Sequence, residues 1–255
     1  MAFSTPTQRY FRGQGRVYLG ERNATGGFDS LRFLGNCPEL MLDTPQTYEE
    51  HKEAYTGQNG VDLRILTQTQ VTTTLTLENT VKENWAFAFK GSVSAQAGAT
   101  VSAEEITAPA AGNYFALANK VISSVTSITS DPSGTTFVAG TDYELALPSN
   151  LVRVPTGSAL AGDPILVNYV AGDAEVITPF TQAEKELYLY FDGLNTVEGQ
   201  NPVVVELFKV NFAAAAQISL ISDSLTQMQL TGTTLFDPLN IAEGGYFKIT
   251  QKTLA

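Results

Sequence analysis

A chain of 255 residues with 43% apolar side chains can bury one large core or two modest ones, and it carries a net charge of −11. Fifteen basic against 26 acidic residues, with no basic run longer than a pair, exclude a protein that grips nucleic acid by neutralising phosphates. One cysteine, Cys37, excludes an intrachain disulfide, and no segment approaches the roughly 18 apolar residues of a membrane helix. The start, MAFSTPTQRY, lacks the charged and apolar regions of a signal peptide, so synthesis and retention in the cytoplasm are expected.

In chain order, Arg16–Gly20 and Ser30–Leu34 read as strands around the Gly26-Gly27 turn, and Leu40–Leu42 follows the Cys37-Pro38 break. Next comes a 27-residue polar stretch, Asn36–Asp62, with several turn signals and few large apolar side chains. A connection longer than about 12–15 residues inside a compact domain binds something or stays unstructured. The reading is an extended arm loop over 44–60, held out toward a protein partner. Its candidate contact residues are Thr44, Gln46, Tyr48, Glu49, Glu50, His51, Glu53, Tyr55 and Gln58, with the two tyrosines as anchors.

Residues 63–78 alternate with period 2 and predict one long strand. Its odd face is β-branched and mostly apolar. Its even face, Gln68, Gln70, Thr72, Thr74 and Thr76, is neutral and polar. A helix over 81–90 follows, with Thr80 as cap, Glu83 completing a capping box, and Gly91 closing the end. Val81, Trp85 and Phe89 form its apolar stripe and anchor it on the sheet.

From Ala97 to Pro179 short strands alternate with acidic turns. Candidate strands are Val121–Ser130, Thr135–Val138, Tyr143–Ala146, Leu151–Val154 and Ile165–Val170. Eight acids and two bases give residues 100–180 a net charge of −6. The division expected is a main β domain of residues 1–107 and 180–255, with an inserted acidic β-rich subdomain over 108–179. The last third supplies Lys185–Phe191, Val203–Phe212, Gln217–Ile221, Gln227–Leu230 and Tyr246–Gln251; Gln227, Gln229 and Thr231 repeat the polar-outward pattern of residues 68–76. The class is mainly β: an antiparallel sandwich or barrel with one flanking helix.

The residues assemble no chemistry. The single histidine, His51, sits among Glu49, Glu50 and Glu53 in the arm, with neither a nucleophile nor an orienting group. Cys37 has no histidine near it in sequence and reads as a small apolar packer. Gly13 and Gly15 lack the third glycine of a dinucleotide fingerprint and read as a strand entry. Aspartates at the turns stand singly, unlike a calcium loop. No catalytic residue, cofactor or metal is expected, and the chain is not read as an enzyme.

One resemblance carries a function. A short N-terminal strand pair, the LGNCPEL turn, an arm with Glu-Glu-His and Gly57 near its end, the strand LTQTQVTTTLTLEN and the helix ENWAFAFKG stand in an order similar to that of the major tail tube proteins of long-tailed bacteriophages. The later phrases GTDYELAL, ILVNYV, LYLYFDGLNTVEGQNPVVVELFKVNF and GYFKITQ resemble the same family. The resemblance implies a structural virion protein, of the non-contractile type, assembled in the host cytoplasm. It would polymerise as stacked six-fold rings into a hollow tube. Its partners would be itself and the tail-tip, tape-measure and tail-terminator proteins, with DNA only as transiting cargo and no membrane insertion. The arm becomes the contact between rings, and the Gln/Thr face a non-adhesive lumen wall. The alternative is a carbohydrate-binding or adhesive β-sandwich module, which would group exposed aromatics on one sheet face; the ten tyrosines are spread along the chain.

Overall fold

A computed structural model describes residues 9–145 and 148–252. In chain order the strands are β1 (Gly13–Glu21), β2 (Arg32–Phe33), β3 (Glu39–Asp43), β4 (Gln46–Lys52), β5 (Val61–Thr69) and β6 (Val71–Leu77). The helix α1 (Lys82–Ala88) follows, then β7 (Ser92–Gln96), β8 (Ala99–Thr107), β9 (Tyr114–Ala116), β10 (Ile122–Ser130), β11 (Glu144–Leu145), β12 (Leu151–Arg153), β13 (Pro164–Ala171) and β14 (Ala174–Thr178). The chain ends with β15 (Leu187–Asn195), β16 (Asn201–Phe212), β17 (Met228–Thr234), a 3-10 helix Pro238–Glu243, and β18 (Phe247–Gln251). The protein is mainly β, antiparallel and sandwich-like with one α-helix. No helix among the described residues is long and apolar enough to cross a membrane.

The chain divides into two compact units, residues 1–92 with 178–255 and residues 93–177. In the first, eight strands form one sheet in the order β2-β1-β15-β16-β17-β6-β3, with β18 also on β16. The long strand β16 makes this possible. One of its edges pairs β15; the other pairs β18 over Val203–Leu207 and β17 over Val210–Phe212. The sheet therefore forks at β16 into two wings. Val17, Leu19, Leu189 and Leu207 from one wing share a single buried core with Leu75, Leu77, Met228 and Leu230 from the other. Period-2 alternation puts these residues inward and their neighbours outward. Thr73 and Thr234 also point into this core, and their hydroxyls satisfy each other at 2.9 Å.

On the opposite face of β1, β15 and β16 a smaller apolar layer packs under the turn that follows β1. Phe28 meets Tyr188 at 5.0 Å between ring centroids, and Tyr188 meets Phe208 at 6.1 Å. Arg22 fastens that turn. Its Nε and Nη2 donate to the two carboxylate oxygens of fully buried Asp237 at 2.9 and 2.7 Å. Asn240 Nδ2 donates both to Asp237 and to the Gly26 carbonyl, each at 2.9 Å. Asp237 also caps the 3-10 helix by accepting from the Leu239 N–H.

The helix differs from its expected form. Its first cap is Val81, with no side-chain cap bond, so neither Thr80 nor Glu83 forms a capping box. Asn84 replaces that device: buried, it donates to the carbonyls of Leu34 and Asn79 and accepts from Arg32. Val81 is exposed and anchors nothing, because the face turned to the core carries Asn84 and Ala88. Trp85 and Phe89 do pack against the core, stacked on each other at 5.8 Å. At the C-terminus Lys90 takes the left-handed conformation at φ 48°, while the Gly91 N–H bonds the Ala86 carbonyl and the Lys90 N–H bonds that of Phe87. This is the paired bonding of a Schellman end, with lysine where glycine is usual. Gly91 is needed for another reason: a Cβ there would lie 2.6 Å from the Thr178 carbonyl oxygen.

The second unit holds two three-stranded sheets, β10-β13-β8 and β11-β12-β9, around their own core. Ile122, Ile128, Ile165 and Val167 of the first sheet face Phe115 and Val152 of the second. Within that core the Tyr169 hydroxyl donates to Glu104 and accepts from Asn119, and burial pushes the phenol above its ordinary range. The N-terminal junction lies at Val93 rather than near residue 107, because β8 pairs with β13 inside this unit. Of the strands expected here, Thr135–Val138 forms only isolated bridges at its margins. Ala146, the end of the strand expected over Tyr143–Ala146, lies outside the described residues.

Candidate assembly surfaces

The segment read as an extended arm loop is a β-hairpin. β4 and β5 pair antiparallel from Gln46↔Thr69 to Lys52↔Val61, and form a two-stranded sheet of their own. Thr44 lies just ahead of it, and Gln46, Tyr48, Glu49, Glu50 and His51 lie on β4. The hairpin folds without a core because cross-strand side chains hold it. Arg64 lies 3.7 Å over the Tyr48 ring and 3.6 Å from the Glu50 carboxylate, while Tyr48 donates to Gln46 at 2.6 Å. His51 Nδ1 meets the Asp62 carboxylate at 2.6 Å across the hairpin, with both side chains exposed.

The tip is closed by one carboxylate. Glu53 accepts from the N–H groups of Tyr55 and Thr56 at 3.0 and 2.9 Å and from the Thr56 hydroxyl, while its own N–H bonds Gly60. Tyr55 stands 86% exposed above this turn, and Gln58 bonds back to Thr56. The Thr56 hydroxyl and these N–H donors hold the Glu53 carboxyl down to about 2. Because the folded value is depressed, the tip is stabilised above the unfolded carboxylate pKa of about 4.3 and loosens as pH falls through the folded one. Hydrogen exchange should show the Tyr55 and Thr56 amides losing protection as pH drops toward 2, and Glu53→Gln should leave them unprotected at every pH.

The predicted long strand is divided at Gln70. In β6 the expected alternation holds, with Val71, Thr73, Leu75 and Leu77 buried. In β5 both faces are open, including Val61, Leu63, Ile65 and Leu66 at 47–52% exposure. So the proposed lumen residues fall in two places: Gln68 on the arm with Gln70 at its base, and Thr72, Thr74 and Thr76 on the outer face of β6. There the register sets Thr72, Thr74 and Thr76 beside Thr233, Thr231 and Gln229 of β17 and Asp43, Met41 and Glu39 of β3. Two polar segments distant in sequence thus form one sheet face, without a lysine or arginine in it. Thr76 is largely covered and donates to Glu39 at 3.2 Å. Gln217–Ile221 contributes no strand to this face. It forms part of a loop closed by the Thr226 hydroxyl on the Ser219 carbonyl, which leaves Leu220 and Ile221 at 80% and 96% exposure.

The tyrosines are not all dispersed. Phe33, Tyr18, Tyr190, Phe28 and Tyr188 make a row on the outer face of β1 and β15, with ring planes tilted 46–69° to their neighbours. Tilted and edge-on rings pack against each other and offer no flat surface for stacking a sugar. Cys37 is half-buried against the core, and burial pushes its thiol up to about 11. Gly15 lies within β1 rather than at a strand entry, and a Cβ there would lie 2.4 Å from the Asp192 carbonyl oxygen on the paired strand. Among the described residues no cluster of histidine, cysteine and carboxylates could hold a metal ion.

No curated protein matches the sequence. A family model does, over residues 10–250, and the chain accordingly belongs to the family described as protein of unknown function UCP028589.

Proposed function

We propose that this chain is a structural subunit that polymerises as stacked rings into the hollow tail tube of a long-tailed bacteriophage. The observation that carries the reading is the arm. A hairpin with every residue of β4 exposed, and apolar side chains open along β5, has no use for its sequence in an isolated subunit. The open strand edges point the same way. Among the described residues β3 pairs only with β6, and β1 meets β2 only at Tyr18 and Leu19. Edges of this kind are a liability unless a neighbour covers them.

The outer face of β17, β6 and β3 suits a conduit wall. Threonine and glutamine wet it, Glu39 and Asp43 make it acidic, and it offers DNA phosphates no cation to pair with. Trp85 and Phe89 hold α1 on the core beside this wing. The partners on this reading are neighbouring copies in and between rings, with tip, tape-measure and terminator proteins at the ends of the tube. The place of action is the virion tail. Negative-stain electron microscopy of the concentrated chain should show stacked rings with a central channel. Compact monomers at every concentration, confirmed by sedimentation, would count against it.

A further inference from the structure

We propose that Asn59-Gly60, at the tip of the β4–β5 hairpin, is a self-modifying site. The backbone nitrogen of Gly60 displaces ammonia from the Asn59 side chain, and the product opens the turn that Glu53 closes. This chemistry does not rest on the tube reading.

Of all the asparagines in the chain, Asn59 alone is followed by glycine. The order matters because the attacking nitrogen belongs to the following residue, and a side chain there would crowd its approach to the carboxamide. Both residues are exposed. The Asn59 carboxamide has no hydrogen-bond partner among the described residues, so nothing fixes its rotation. Other asparagines are tied down. Asn84 donates to the Leu34 and Asn79 carbonyls, and Asn240 to the Gly26 carbonyl and Asp237. Each of these is followed by a large residue, Trp85 and Ile241.

Folding alone does not call for glycine at position 60. A Cβ there would meet no atom within 4 Å, and its φ lies outside the left-handed range. Asn59 is the residue that takes the left-handed conformation, at φ 57°, which asparagine tolerates better than most side chains.

The atoms balance with water as the one co-reactant. The Gly60 nitrogen bonds to the Asn59 Cγ, the Cγ–Nδ2 bond breaks, and the proton of the Gly60 amide leaves with Nδ2 as ammonia. Water then opens the cyclic imide at either carbonyl. Addition at Cγ gives aspartate and restores the original backbone. Addition at the main-chain carbonyl gives isoaspartate: the chain now runs through the side-chain carbons and gains a methylene, and the former main-chain carbonyl becomes a free carboxylate.

Both products change the tip. Residues 46–69 carry Glu49, Glu50, Glu53 and Asp62 against Lys52 and Arg64, and either product adds a further carboxylate. Isoaspartate also displaces Gly60, whose carbonyl accepts from the Glu53 N–H at 2.8 Å. That bond closes the same turn as the Glu53 carboxylate bonds to the Tyr55 and Thr56 N–H groups. A methylene inserted beside it moves the Gly60 carbonyl out of reach and releases both amides. The hairpin therefore changes in charge and in shape as the chain ages.

The test ages the purified full chain at neutral pH and follows its tryptic peptides by mass spectrometry. The peptide Glu53–Arg64 should gain the mass of an amide-to-acid exchange and resolve into two products on chromatography, while peptides carrying Asn84 and Asn240 stay unchanged. Gly60→Ala should slow the conversion about tenfold and, given the open space at that Cβ, leave the melting temperature in place. Hydrogen exchange should find the Tyr55 and Thr56 amides protected in fresh chain and released in aged chain. Asn59→Asp, which adds the charge without the methylene, should keep them protected. A peptide of unchanged mass, or conversion equally fast in Gly60→Ala, would overturn the site. Conversion with both amides still protected would overturn the opening of the turn.

Discussion

Asp237→Asn is expected to destabilise the first unit by about 3 kcal/mol, since it leaves the Arg22 guanidinium partly buried beside a neutral amide. At roughly 2–4 °C per kcal/mol for a unit of this size, its melting transition should fall by about 6–12 °C. Calorimetry that resolves the two units should show the second transition unmoved, because no part of this network lies in residues 93–177. Burial pushes the Asp237 carboxyl up, but Arg22, Asn240 and the Leu239 N–H outweigh it and hold it below its ordinary value. A depressed carboxylate stabilises above the unfolded pKa and stops doing so as acid protonates the folded state. The wild-type unit should therefore lose stability in acid more steeply than Asp237→Asn. Replacing both partners, Arg22→Met with Asp237→Leu, should recover most of the loss, because no charge is then left unpaired. A melting temperature unchanged by Asp237→Asn would mean that the Phe28 turn is held by its aromatic contacts alone.

That network was legible only in part. Asp237-Pro238 is a readable helix start, an acceptor at the cap with proline behind it. No local pattern, however, reveals that its carboxylate is completed by an arginine 215 positions earlier. The large β elements were legible because burial alternates along them, as in β6, β13 and β17. The arm hairpin was not, since QTYEEHK has no buried face and its strand is held by cross-strand pairs alone. The same cause hid the break at Gln70, where Thr67, Thr69 and Val71 carry the alternation straight through. Gln217–Ile221 shows the reverse error. Its alternating apolar residues mimic a strand, but serine and threonine hydroxyls bond the local backbone and fold it into a loop. Of the candidate surfaces, the polar face was half visible, as two alternating segments whose pairing only the register discloses.

Substituting the open apolar side chains of β5, Val61→Thr with Leu63→Thr and Ile65→Thr, is expected to raise the critical concentration for polymerisation by about 100-fold. Each of these side chains is already about half covered, and burying the remainder is worth roughly 1 kcal/mol. Three together give about 3 kcal/mol, or two decades in the association constant. Threonine keeps the β propensity of the strand, and the contacts among Arg64, Tyr48 and Glu50 involve none of the three side chains, so its register should survive. The melting temperature should not move, since none of the three belongs to the core of the first unit. Sedimentation velocity across a concentration series reads both states in one experiment. An unchanged critical concentration would remove these side chains from the subunit contact and leave the open edges of β1 and β3 to form it. A rise accompanied by a lower melting temperature would instead assign the loss to a misfolded hairpin, which the cross-strand pairs argue against.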